Sequence, residues 1–392
     1  MTQYPCSGMT PSKMGGMDYS HRSRFLFDIL DNSLSCLGPL MKNIPITVIG
    51  TDIVARYICH RLTKSSIPFQ CLNASEHTDF KPGFASGGSL DHWTRLSHQY
   101  GQQFAQSFWD FSEFGFRRLC SALSSLEIQY QQAQRVRIAT TQHELEEFLH
   151  AHSQLHQANR SNYVQLKKNT ALHFDGCASL QFSETNFLEA LLPSNQIKTG
   201  PVQIETHSPL TIHTQSLSWK TEACVITDPT FLKTISPYYN KVIYPSWEQW
   251  HHFKINHNLP KGTVFSIMHG HIWGIVINSE EVYVGGGSFF NKTNTKKFNA
   301  QITSWVTHQL QNVFPSNIHL LSKHHQLICK VQDERPLLGL WPQQGHILLA
   351  LGWDHWHNSF GIEAGERIFQ WLSSDSTASL EYPFKANRNF IV

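Results

Sequence analysis

The chain has 392 residues, enough to bury a large core and more than most single domains hold, so two interleaved or consecutive domains are expected. Charged residues make up only 15% and the formal net charge is +2, which gives no basis for nucleic-acid binding. Lys167-Lys168 and Lys296-Lys297 are isolated pairs, read as solvated loop charges. None of the eight cysteines falls in a C-x-x-C spacing, and Cys71, Cys224 and Cys329 sit in apolar runs as buried thiols would. No segment reaches the about 18 consecutive apolar residues of a membrane span, and the N-terminus lacks a signal-peptide layout. A cytoplasmic protein with no membrane span is expected.

Residues 1–43 read as an extension, with Leu26, Ile29, Leu30, Leu34 and Leu37 at the spacing of a short amphipathic helix that covers the body or docks a partner. A strand over about 44–50, a helix over 53–64 and a strand over 68–72 follow. Residues 80–90 form a glycine-rich loop. The segment 91–126 predicts one long helix or two, with Trp93, Leu96, Tyr100, Phe104, Phe108, Phe111, Phe114 and Leu119 on a core-facing stripe. Thr141 opens a further helix, with Glu144 completing a capping box. From about 200 the pattern turns to short strands of period two, including 264–268, 272–277 and 281–285, which predict an antiparallel sheet. A helix over about 297–312, a strand over 345–352 and a helix over 360–373 close the chain, and 374–392 are a tail.

The most telling stretch is Ile46-Thr47-Val48-Ile49-Gly50-Thr51-Asp52-Ile53-Val54-Ala55. A β-branched run ends in glycine and leads into helical spacing, the strand–turn–helix of a Rossmann-type unit. The dinucleotide fingerprint is G-x-G-x-x-G/A, whose second glycine lets backbone N–H groups approach a pyrophosphate. Asp52 stands at that second position.

Several separated pieces in this order resemble the D-amino-acid oxidase superfamily, over about residues 44–373. They are the Gly50 turn, Ala85-Ser86-Gly87-Gly88, the segment Thr140 to Phe148, and Val282-Tyr283-Val284-Gly285-Gly286-Gly287. To these are added Asp333-Glu334-Arg335-Pro336-Leu337-Leu338-Gly339 and the segment from Gly352 to Gly365. The resemblance implies an α/β fold: an FAD/NAD(P)-binding Rossmann-type domain (about 44–90, 135–230 and 325–373) with an interleaved α+β substrate domain (about 91–134 and 231–324) containing an antiparallel sheet. It implies FAD as cofactor and oxidation of a C–N bond in a small amine or amino acid.

Carried over position by position, the resemblance puts Gly50, Thr51, Asp52, Ala55, Asn73, Ser86, Gly87, Gly88, Gly352, His355 and His357 along the cofactor path. Scaffold positions (Gly50, Ala55, Asp333, Pro336, Gly339, Gly352, Gly365) keep the family's residues. Along the cofactor path, Asp52 replaces a glycine, Asn73 the ribose-binding acid, Thr227-Asp228 a mid-chain glycine, and His355 and His357 glycines beneath the flavin. Lys330 stands for the arginine that clamps a substrate carboxylate, as a point charge rather than a fork. Tyr244, His269, His271 and Lys330 are the candidate substrate contacts, with Tyr238 and Tyr239 beside them. No catalytic residue is assigned.

Twenty-four histidines make H-x-H pairs such as His269/His271 and His355/His357 expected by chance, and no metal is assigned. Gly87-Gly88-Ser89 is not a nucleophile elbow, and Arg335 is expected to pair within its own turn. Two functions follow: a flavin-dependent oxidoreductase, or a scaffold of that type that has lost FAD and serves as a binding or regulatory subunit with a protein partner.

Overall fold

The computed structural model describes residues 42–74, 83–88, 93–158, 160, 162–166, 171–206, 209–287, 297–314, 317–341, 344–353, 357–374 and 384–386. The helix expected near 26–37 lies outside them. The elements that position the site are β1 (Ile46–Ile49), α1 (Ile53–Lys64), β2 (Phe69–Asn73), β3 (Phe84–Ser86), α2 (Trp93–Tyr100), α3 (Gln102–Ser125), β4 (Val136–Ala139) and α4 (Gln142–Gln157). They continue with β5 (Ile197–Thr199), β6 (Ala223–Ile226), β7 (Ile243–Lys254), β8 (Val264–Ile267), β9 (Ile272–Asn278) and β10 (Glu281–Gly286). The last are α5 (Ala300–Val313), β11 (His319–Val331), β12 (Leu337–Trp341), β13 (Gln344–Leu351) and α6 (His357–Ser374).

Six strands form one sheet in the order β5-β2-β1-β6-β13-β12. Its neighbours are parallel except for β12 against β13. All four residues of β1 and of β6 are buried, as parallel strands covered on both faces require. The sequence order of the central strands reverses beside β1, which makes the carboxyl ends of β1 and β6 the switch point at which folds of this kind bind ligands. A larger, mixed sheet runs β11-β7-β10-β9-β8-β4, then Ala171–Phe174 and Tyr163–Leu166. The strands of 136–174 were expected with the nucleotide-type domain, yet they extend this second sheet through the parallel pair of β8 and β4. Among the described residues β7 and β11 are the longest strands, paired along nearly their whole length.

The closing helix α6 packs between α1 and α3 because its small residues admit close contact. A methyl added at Gly361 or Gly365 would press on Ile53, Val54 or Tyr57 of α1, and one on Gly115 of α3 would overlap the carbonyl of Ser359. Phe360, Ile362, Ala364 and Ile368 of α6 are buried in the same core as Trp93, Leu96, Phe108, Phe111 and Leu119 of the aromatic stripe. Phe114 leaves that stripe: it is 47% exposed, under the Arg117 guanidinium. Among the described residues, no helix is long and apolar enough to cross a membrane. The cysteines Cys59, Cys71, Cys177 and Cys224 are buried and unbridged; Cys329 is only half-buried.

Candidate functional site

The turn between β1 and α1 is built around Gly50. Its φ is +144°, a region few side chains tolerate, and a methyl there would overlap the Thr227 hydroxyl. Its N–H donates to the Leu72 carbonyl of β2 at 2.9 Å. Two residues on, Asp52 is the N-cap of α1. Its Oδ1 accepts the Ala55 N–H at 3.0 Å and the Thr227 hydroxyl at 2.8 Å. Thr227 follows β6, is 3% exposed, and is tied to β1 by its own N–H on the Ile49 carbonyl.

Asp228 stands next to it and caps the helix Pro229–Ile235 through Oδ1, which accepts the N–H groups of Thr230 and Phe231. Its Oδ2 is buried without a hydrogen-bond partner. Two carboxylates therefore occupy the carboxyl ends of the two central strands. Arg56, in the first turn of α1, directs its guanidinium elsewhere: to Thr51 O, Leu188 O, Leu192 O, Glu189 and Ser194. Asn73 closes β2 beside Thr199, and its carbonyl accepts the Gly200 N–H.

The small-residue loop lies against a buried ion cluster. Ser86 is fully buried and its hydroxyl donates to the Gly87 carbonyl, while the Gly87 N–H donates to Ala178 O. Gly88, at φ +75°, has no room for a methyl between Arg135, Cys177 and Trp109. Arg135 and Arg137 are both 3% exposed and both hold Asp175. Burial works to raise the Asp175 carboxyl, but the two guanidinium groups overcome it and hold it well below the usual range. Burial and the neighbouring Arg135 lower Arg137 to about 10. Burial, then Asp175, pushes the Cys177 thiol up. Behind them His173 is buried, neither ring nitrogen hydrogen-bonded, and burial lowers it to about 4. Sequence reasoning missed this cluster. The signal was the alternation Arg135-Val136-Arg137-Ile138, which puts two cations on one side of an otherwise apolar strand.

The substrate candidates do not gather at one place. Tyr244 and Lys330 are direct cross-strand neighbours on β7 and β11. Tyr239 belongs to the core instead: it is fully buried, its hydroxyl donates to Ala386 O, and its ring meets Trp341. His269 sits on a short turn, Met268–Gly270, whose residues have φ of +52°, +57° and +88°. That turn removes the extended geometry on which a His269/His271 pair depended. His269 faces α4, with its N–H on Glu144 Oε1 and its Nδ1 2.8 Å from Glu147. Arg335 pairs with Asp333 inside its own turn, as expected. Gly352 has φ +83° and no space for a methyl beside Val331. His355 lies outside the described residues, as does the side chain of His357, which opens α6.

No family model and no curated protein matches the chain. Solved structures do. The glycine oxidase of Geobacillus kaustophilus superposes with a TM-score of 0.69 at 13% identity, over 89% of this chain and 99% of its own. The iminodiacetate oxidase of Chelativorans sp. BNC1 gives 0.68 at 12%, over 87% and 98%. The L-amino acid deaminase of Proteus vulgaris gives 0.65 at 11%, over 90% and 99%. The chain has the fold of these three proteins.

For a flavin dinucleotide, the residues of the first turn do not fit. A diphosphate at a helix N-terminus is held by free first-turn N–H groups and the positive end of the helix dipole. In this chain the Asp52 carboxylate already takes that role for α1, the Thr227 side chain fills the space over Gly50, and Asp228 adds a second negative charge.

Proposed function

We propose, from the D-amino-acid oxidase type of fold that this chain carries, that it works as a binding or regulatory subunit rather than as a flavin enzyme. The carrying observation is the Asp52–Thr227 hydrogen bond at the switch point. It joins two of the positions at which the sequence departs from the family's cofactor path, so the two departures are one local rearrangement. The turn keeps its shape and its glycine while its anion site is filled by the chain's own carboxylate.

A second reading is favoured by the fold neighbours, whose names are those of an amine oxidase and amino-acid oxidoreductases. In it, the chain is an FAD-dependent oxidoreductase acting on a C–N bond of a small amine or amino acid. The Tyr244–Lys330 pair would then supply a hydroxyl and a cation for a substrate carboxylate. The experiment that separates them is the absorbance of untagged protein purified in the presence of added FAD. The first reading expects colourless protein. Stoichiometric flavin bands that survive gel filtration overturn it in favour of the second.

A further inference from the structure

We propose that His143, Glu147 and His269 form a binding site for one divalent transition-metal ion of the zinc class. The ligand atoms of these three residues all lie within 4.8 Å of one another. His143 and Glu147 are four residues apart on α4, so both project from one side of the helix, and His269 approaches from the turn between β8 and β9. Two imidazoles and one carboxylate are a donor set that suits zinc, with a further position left for water.

Three features make this more than a surface ion pair. First, His269 Nδ1 lies 2.8 Å from Glu147 Oε2, but the carboxylate oxygen, although buried, receives no aligned hydrogen bond. That separation is within the spacing of two donor atoms on one ion. Second, the backbone of the third ligand is held in a costly conformation. Met268 and His269 are non-glycine residues at φ +52° and +57°, a local cost that persists only where surrounding contacts enforce it.

Third, the enforcing contact is a buried carboxylate next to the ligands. Glu144 is 1% exposed; its Oε1 accepts the His269 N–H at 3.1 Å, and its Oε2 accepts the Thr140 N–H at 2.9 Å. The capping box of α4 thus bolts the His269 turn to the helix that carries His143 and Glu147. His143 is largely exposed, which leaves an entry path from solvent. Arg95 lies 3.6 Å from Glu147 Oε1 and is the residue a bound cation would displace.

The test uses the full chain without a histidine tag, stripped with chelator and titrated with Co2+ while visible absorption is followed. One equivalent per chain is expected to develop the strong bands of low-coordinate cobalt, and one equivalent of Zn2+ to abolish them. His143→Ala and Glu147→Gln, both on α4, are each expected to weaken binding at least tenfold. His269→Asn keeps a residue tolerant of left-handed backbone and is expected to do the same. Circular dichroism of each variant checks that the fold is retained. Absence of the cobalt bands in the parent chain overturns the proposal, as does parent-like affinity in a folded His143→Ala or Glu147→Gln variant, which would place the ion among other histidines.

Discussion

The Asp52–Thr227 bond can be weighed by a double-mutant cycle. Asp52→Ala removes two contacts, from the Ala55 N–H at 3.0 Å and the Thr227 hydroxyl at 2.8 Å. Loss of an Asp N-cap to alanine costs about 1 kcal/mol. A hydrogen bond to a charged group contributes about 1.5–3 kcal/mol where buried. Asp52 is half-buried, so solvent screening brings its share down to about 1 kcal/mol. Asp52→Ala is therefore expected to cost about 2 kcal/mol, Thr227→Val about 1, and the double variant about 2 rather than 3, a coupling of about 1 kcal/mol. Urea unfolding at pH 7, with m-values unchanged across the four proteins, reads these differences. A coupling below about 0.3 kcal/mol would refute the reasoning, because the two side chains would then be neighbours without a bond that matters.

Two further outcomes follow from the buried groups. Asp175→Asn leaves Arg135 and Arg137 buried without their shared carboxylate and is expected to cost about 3–5 kcal/mol in urea unfolding; a loss under about 1 kcal/mol contradicts the pairing. His173 and His251 are buried and lowered from 6.5 to about 4 by desolvation, so the unfolded chain binds more protons than the folded one between those values. Their stabilising effect is complete above about pH 6.5 and is lost as pH falls towards 4, on the order of 3 kcal/mol for each. Urea midpoints measured from pH 8 down to 4 are expected to fall steeply below 6.5; a flat profile contradicts the burial of these imidazoles.

The sequence made the scaffold legible wherever a residue's role is set by its local neighbours. The β-branched run 46–49, the glycine at 50, the apolar spacing of 53–64 and the Thr141/Glu144 capping box each appear as expected. The strands β7 and β11 were not foreseen. Pro245, paired histidines and lysines break their alternation, and what holds them is mutual pairing 65 to 88 residues apart in the chain. The Arg135–Asp175–Arg137 cluster was missed for a related reason. Charge reads as solvent exposure until a distant partner is known, and here the partner lies 40 residues downstream.

The candidate site was legible position by position but not as a geometry. Asp52 and Thr227 could each be flagged as departures from a cofactor path. Their hydrogen bond spans 175 residues, so no spacing rule joins them. Tyr239 packs in the core with its hydroxyl on an internal acceptor, which composition cannot reveal. His269 failed as half of an H-x-H pair because its backbone is left-handed rather than extended.

In the proposed function, Asp52 fills the place a pyrophosphate would take. Calorimetric titration of FAD into the parent chain and into Asp52→Gly, side by side, tests it most directly. Removing one negative charge from within about 4 Å of a phosphate relieves repulsion of about 4 kcal/mol at the effective dielectric of a protein surface. Little or no heat is expected from the parent chain, and binding at least tenfold tighter from the variant. Equal or tighter FAD binding by the parent chain would contradict the account.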